Sequence, residues 1–300
     1  MVSAPNIIDV FFKYKKDNEI ERISEILESV IEDLANTKDK ILLHEMNKYP
    51  ILATKAHTRP FEHKWLNIIA GLLVPPYGSG ATLYIRPYMF AKGPVIGVKP
   101  SDEYEFRIFC TPVGPYFKGG AKPITIRVSD FDRAAPHGTG HIKAGLNYAM
   151  SLHAIVDAHN QGFDENMYLD AATRTNVEET GGANFIFVTK DGKVVTPKSD
   201  SILPSITRRS LVYVAREILG LETEERVVPF EEVKDFAECG LCGTAAVISP
   251  VGKINDHGKE ICFPAGMEEM GPVTKKLYET LTGIQMGHLE APEGWIYEIK

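Results

Sequence analysis

Between Glu19 and Leu34 the apolar residues Ile20, Ile23, Ile26, Leu27, Val30, Ile31 and Leu34 recur every three or four positions, a spacing that lays one apolar stripe along a helix. From Lys38 to Lys64 no period holds, and the stretch is rich in His, Lys and Thr. After Gly71 the texture changes to short β-like runs punctuated by glycine and proline, at Thr82–Arg86, Glu105–Thr111, Ile124–Val128, Asn184–Val188 and Ala245–Ser249. Helices are predicted between them at Leu146–Asn160, Thr207–Leu219 and Val273–Leu281. The segment Pro112–Lys122, with Gly114, Pro115, Gly119 and Gly120, reads as an interdomain connector. It divides the chain into a small N-terminal domain over 1–111 and a larger domain over 123–300. The mixture of elements is α/β (α+β), with no internal repeat.

Composition narrows what such a chain can be. With 300 residues, 44% of them hydrophobic and 24% charged, there is enough apolar material for about two cores. The net charge is −7 and no basic stripe is present, which argues against nucleic acid as a partner. The longest apolar run, Leu66 to Val74, is broken by Asn67 and Gly71 and falls far short of the ~20 residues a membrane helix requires. Residues Met1–Lys16 place lysines after their apolar positions, the reverse of a secretory signal, so the expected compartment is the cytoplasm. Of the four cysteines, Cys239 and Cys242 have CxxC spacing, but no second ligand pair follows. No metal is expected, and buried small residues is the plain reading.

Five places could carry chemistry. Lys143 sits among glycines in Gly138-Thr-Gly-His-Ile-Lys-Ala-Gly-Leu-Asn-Tyr148, just ahead of a helix, where glycine permits close approach of a flat ligand to the amine. A lysine in solvent is inert, and one with a lowered pKa is a nucleophile that forms imines. Glu178-Glu179-Thr-Gly-Gly182-Ala-Asn184 puts carboxyl groups beside a diglycine turn at the mouth of a strand, where one could hydrogen-bond a protonated heterocycle. Pro204-Ser205-Ile206-Thr207 opens a helix, and such a start either caps itself or holds an anion with its free amides and hydroxyls. In Gly243-Thr244-Ala245-Ala246 small side chains leave turn amides open for a phosphate oxygen or a carboxylate. Finally, Tyr84 and Arg86 alternate along Leu83-Tyr-Ile-Arg-Pro87 and share one side of a strand, as an ordinary polar face or as a wall for an anionic substrate.

In this order the strings LYIRP, VGPYFKGG, GHIKAGLNYA, EETGGANF, LPSITR and CGTAAVISP resemble the branched-chain amino acid aminotransferases, class IV aminotransferases of the fold-type IV pyridoxal-phosphate group. The resemblance runs from about Val74 to the C-terminus. Upstream, the first 70 or so residues are atypical: they contain neither an FEGxKAY-like string nor an NxxR segment, and Arg59 lacks supporting neighbours. The resemblance implies a smaller N-terminal α/β domain, a larger pseudo-barrel domain that binds pyridoxal 5′-phosphate, and a homodimer. It implies that Lys143 carries the cofactor as an internal aldimine and moves the proton between substrate Cα and cofactor. It implies too that Glu179 partners the pyridine nitrogen, Tyr148 the phenolic oxygen, and Ile206, Thr207 and Thr244 the phosphate. Tyr84, Arg86, Gly182, Ala245 and Ala246 fall on the substrate side. The implied substrates are L-leucine, L-isoleucine or L-valine with 2-oxoglutarate. Other readings on the same fold are a shortened noncatalytic relative, a D-amino acid aminotransferase and an aminodeoxychorismate lyase. LYIRP and CGTAAVISP favour the branched-chain group.

Overall fold

In the computed structural model, the residues described are 74–76, 78–79, 81–94, 96–114 and 121–296. The predicted helix Glu19–Leu34, the segment Lys38–Lys64 and Arg59 lie outside them. Two compact units divide the chain, one reaching Pro115 and the other running over Tyr116–Glu298.

The first unit contains an antiparallel hairpin, β1 (Thr82–Lys92) and β2 (Glu103–Val113), paired from Thr82↔Val113 to Lys92↔Glu103. Both strands outrun their predicted limits. β2 takes in Pro112 and Val113, so the first two residues of the expected connector are strand.

The second unit is built on an eight-stranded sheet in the order β4-β3-β9-β8-β5-β6-β7, with β10 paired to β9. Its strands are β3 (Ile124–Val128), β4 (Glu165–Met167), β5 (Asn184–Val188), β6 (Val194–Pro197), β7 (Thr223–Arg226), β8 (Glu238–Gly243), β9 (Val247–Asp256) and β10 (Lys259–Cys262). β3 and β5 fall on their predicted residues. β9 does not: Thr244–Ala246 form the turn that joins it to β8, because Gly243 pairs with Val247 and the residues between must reverse the chain.

The sheet is apolar on both faces. Along β5, Phe185 and Phe187 enter one core with Val195, Leu241, Val251 and Ile254, while Ile186 enters a second with Val194, Cys242 and Ile248. Side chains two apart share a face, so a strand buried on both sides reads as the unbroken run Asn-Phe-Ile-Phe-Val. The first core draws residues from β3, β4, β5, β6, β8 and β9. The same alternation sends Cys239 into the first core and Cys242 into the second. Cys110 is also buried, and Cys262 is exposed.

Among the described residues three α-helices accompany the sheet: α1 (Gly145–Asn160), α2 (Ile206–Tyr213) and α3 (Pro272–Gln285). α2 is shorter than predicted. It passes into a π-helical turn, Val214–Ile218, in which Leu219 N–H donates to Val214 O at 2.9 Å. Helices α2 and α3 bury Leu211, Leu277, Leu281 and Ile284 against the second core. α1 is built the other way round. It buries Asn147, Ser151, Ala154 and Ala158, and leaves Leu146, Met150, Leu152 and Val156 exposed.

The start of α3 is capped from outside its own sequence. The buried carboxyl group of Glu238 accepts the Val273 N–H at 2.9 Å, and the Thr274 N–H and hydroxyl at 2.8 Å each. Gly271 packs so tightly on that carboxyl group that a Cβ would collide with it. Removing the acceptor orphans two helix amides. Glu238→Ala is therefore expected to lower the unfolding free energy by about 2–4 kcal/mol, and Gly271→Ala to act in the same direction. Urea unfolding curves of the two variants check this.

Candidate active site

Lys143 stands on the loop leading into α1. Its Nζ donates to Tyr148 Oη at 2.9 Å. The loop is fixed by the buried side chain of Asn147, whose Nδ2 donates to Thr139 O at 2.8 Å and Ile142 O at 2.9 Å, and whose Oδ1 accepts from Thr139 Oγ1 at 3.0 Å. Gly140 approaches the Ser201 carbonyl so closely that any Cβ would clash. A long, rotatable amine is thus mounted on a loop with little freedom of its own.

Glu179 is 3% exposed. Its Oε1 accepts the Leu203 N–H at 2.9 Å and pairs with Arg133 Nη2 at 2.8 Å, while Oε2 accepts Asn184 Nδ2 at 2.9 Å. Asn184 Nδ2 also reaches Leu203 O at 3.1 Å. Arg133 Nη2 further donates to Gly140 O at 3.1 Å and to Ser201 O. Three segments therefore meet at one carboxyl group: the lysine loop, the strand mouth at Asn184, and the approach to α2. Burial pushes the Glu179 carboxyl up to about 7, against the Arg133 charge and the Leu203 amide, which favour the anion. Its neighbour Glu178 is raised as well, chiefly by burial, and accepts Ser199 Oγ at 2.8 Å.

The other expected site residues lie at the start of α2, in the two turns at the β5 and β8 ends, and in the first unit. At the N-terminus of α2, Ser205 Oγ accepts the Arg208 N–H at 3.2 Å and caps the helix, while first-turn amides such as those of Ile206 and Thr207 have no acceptor within the helix. Gly182 is exposed, and a Cβ on Gly243 would stand 3.7 Å from the Gly182 carbonyl. The diglycine turn thus borders the turn Thr244–Ala246. That turn ends at Val247, which holds φ of 59°, a left-handed value that a β-branched residue adopts only under constraint. In the first unit, Arg86 Nε donates to Tyr84 Oη at 3.0 Å with its guanidinium 5.1 Å from the ring centre, so these two are neighbours on β1. Sequence reasoning did not single out Arg133. No periodicity or motif marks it, and it is legible only once the fold sets it against Glu179.

Both the sequence and the fold match a known class. The sequence profile of amino-transferase class IV matches residues 60–254, beginning upstream of the motifs that start near Val74, and the chain is a class IV aminotransferase. It is 53% identical over 230 residues to the branched-chain-amino-acid aminotransferase of Haemophilus influenzae, covering 75% of this chain and 67% of that one. With the Helicobacter pylori enzyme of the same name it shares 44% identity over 268 residues, 89% of this chain and 75% of that one. Among solved structures, the branched-chain amino acid aminotransferase from Escherichia coli matches with a TM-score of 0.60 at 32% identity, over 73% of this chain and 69% of that chain. The Thermobaculum terrenum branched-chain enzyme, solved in its pyridoxal-phosphate form, matches with a TM-score of 0.57 at 31% identity, over 68% of this chain and 64% of that one. The protein belongs to the branched-chain amino acid aminotransferase family, whose members are pyridoxal-phosphate-dependent transaminases. Among the described residues, no helix is long and apolar enough to cross a membrane.

The raised Glu179 carboxyl has a measurable consequence in the cofactor-free protein. A folded-state value near 7 against the ordinary 4.5 means that the native chain holds a proton that the unfolded chain releases between those two values. The associated stability is complete below pH 4.5 and is lost as pH rises through 7, a change of about 3 kcal/mol. Glu179→Gln is expected to lack this part of the slope. Urea unfolding of both proteins at pH 5 and pH 8 isolates it, because every other titrating group is common to the pair.

Proposed function

We propose that this protein transfers the amino group of L-leucine, L-isoleucine or L-valine to 2-oxoglutarate, using pyridoxal 5′-phosphate held at Lys143. The observation that carries this reading is the pairing of an accessible lysine amine and its tyrosine partner with a buried carboxyl group, tied to one another through Arg133. The donor set fits the cofactor. Glu179 Oε2 receives a single hydrogen bond and retains a lone pair for a ring N–H. The open end of α2 suits a dianion, by its dipole and its unpaired amides.

Bound there, the cofactor supplies an aldehyde that condenses with amines and a ring that accepts the electron pair released at the substrate Cα. The chain's own residues do the rest. Lys143 Nζ would be the base that holds the proton leaving the substrate Cα in the first half-reaction and the acid that returns one to Cα in the second. Tyr148 Oη accepts from that amine and would be the residue that hydrogen-bonds the phenolic oxygen. Glu179 would hold the proton on the ring nitrogen, and Ile206, Thr207 and Thr244 would hold the phosphate. The turn amides at Ala245 and Ala246, with Gly182, receive the substrate α-carboxylate. The working unit in this reading is a homodimer, supported by the apolar outward face of α1 at Leu146, Met150, Leu152 and Val156.

Reconstitution tests the reading. With pyridoxal 5′-phosphate the protein should take on a visible absorption band that changes when L-leucine is added. In a panel of amino donors with 2-oxoglutarate, L-leucine, L-isoleucine and L-valine should exceed D-alanine. Lys143→Ala should abolish turnover, and Glu179→Gln should still bind cofactor while slowing proton transfer by about 100-fold or more. A protein that stays colourless, or one that prefers D-alanine, overturns the proposal.

A further inference from the structure

Arg133, in the loop between β3 and α1, is 5% exposed and belongs to neither apolar core. A cation taken out of water needs a counter-charge and acceptors close by. It has one carboxyl group, Glu179 at 2.8 Å, and two backbone carbonyls, Gly140 and Ser201, all reached through Nη2. Its Nε is buried without a partner. The arrangement is directed at Glu179. Oε1 is filled by Arg133 and the Leu203 N–H, and Oε2 is left with Asn184 alone. Every group that touches the carboxyl is a donor, so the surroundings suit an anion, with its open lone pair on Oε2.

We propose that Arg133 is a positioning residue for transamination: it holds Glu179 as an anion with Oε1 occupied and Oε2 free, so that the cofactor's ring nitrogen keeps its proton. This rests on the reading that pyridoxal 5′-phosphate binds at Lys143. The ionisable groups acting on Glu179 are few. Arg133 and, from α2, Arg208 favour its charged form, whereas burial and Glu178 oppose it. The Cys242 thiol on β8 is pushed up to about 12 by burial and stays neutral. Without Arg133, burial meets less opposition and the carboxyl keeps its proton to a higher pH than it does with the cation beside it. It then meets a neutral ring nitrogen through an ordinary hydrogen bond, weaker than the charge-assisted one.

The test compares two ligands in one protein. Pyridoxal 5′-phosphate has the ring nitrogen, and its 1-deaza analogue has a C–H there. Affinities of the apoprotein for each, read from tryptophan fluorescence, give a ratio that cancels general damage to the site. Arg133→Gln should lower the natural-to-analogue ratio about tenfold at pH 7. Arg133→Lys, which keeps the charge, should stay within about threefold of the parent. Glu179→Gln marks the floor, and adding Arg133→Gln to it should change the ratio no further. Equal losses for both ligands in Arg133→Gln, or no loss, would overturn the proposal and leave Arg133 a purely architectural residue. Should that variant fail to fold, Arg133→Lys decides alone, a ratio at the Glu179→Gln floor refuting it. A parent protein that binds neither ligand refutes the underlying reading and this inference together.

Discussion

A carboxyl group removed from water must be compensated where it stands, and the second unit is organised around one such group. Glu179 collects donors from residues 133, 184 and 203, which reach it along three separate paths of the chain. Each bond is short and each donor comes from a segment that also carries a proposed cofactor or substrate contact. Losing one partner of a buried pair costs far more than the pair contributes, so the segments are held in mutual register by the penalty for parting. Burial raises the carboxyl towards neutrality against the pull of these donors, which makes its charge responsive to whatever is placed beside Oε2.

The sheet explains why these segments arrive together. β5 begins at Asn184 and runs antiparallel to β8, where Asn184 stands opposite Cys242. The chain entering β5 and the chain leaving β8 therefore lie at the same end of the sheet, which brings the diglycine turn against Thr244–Ala246. Behind them the strands are buried on both faces. A rigid, doubly packed sheet with polar turns at one end is a common way of fixing chemistry on otherwise irregular backbone. Strain at Val247 falls at the edge of that group of turns, where packing can hold an unfavourable dihedral.

What could be read from the sequence depended on whether its signal was local. The strands Ile124–Val128 and Asn184–Val188 were legible because both end at clear breaks in composition, and α1 because its start follows the glycine-rich lysine loop. The limits of β9 were not, since Pro250 and Gly252 inside it look like strand breakers, while Ala245 and Ala246 look like strand. Only the pairing of Gly243 with Val247 resolves them. Lys143, Tyr148 and Glu179 each stand in a contiguous motif. Arg133 was invisible for the opposite reason: its partners lie 7, 46 and 68 positions away and none is implied by its neighbours Asp132, Ala134 and Ala135. The inverted α1, with large apolar residues outside and small or polar ones within, likewise has an apolar pattern whose orientation no periodicity fixes.

The alternation along β8 has a practical corollary for anyone handling this protein. Cys239 and Cys242 point into opposite cores and Cys110 is covered. The close sequence pair cannot bridge, and maleimide dyes or crosslinkers offered to the native fold should find a single willing sulfur, Cys262 at the end of β10. It stands opposite Lys253, well along β9 from the turn Thr244–Ala246, and so offers a place for a fluorophore or a surface tether without engineering a new thiol.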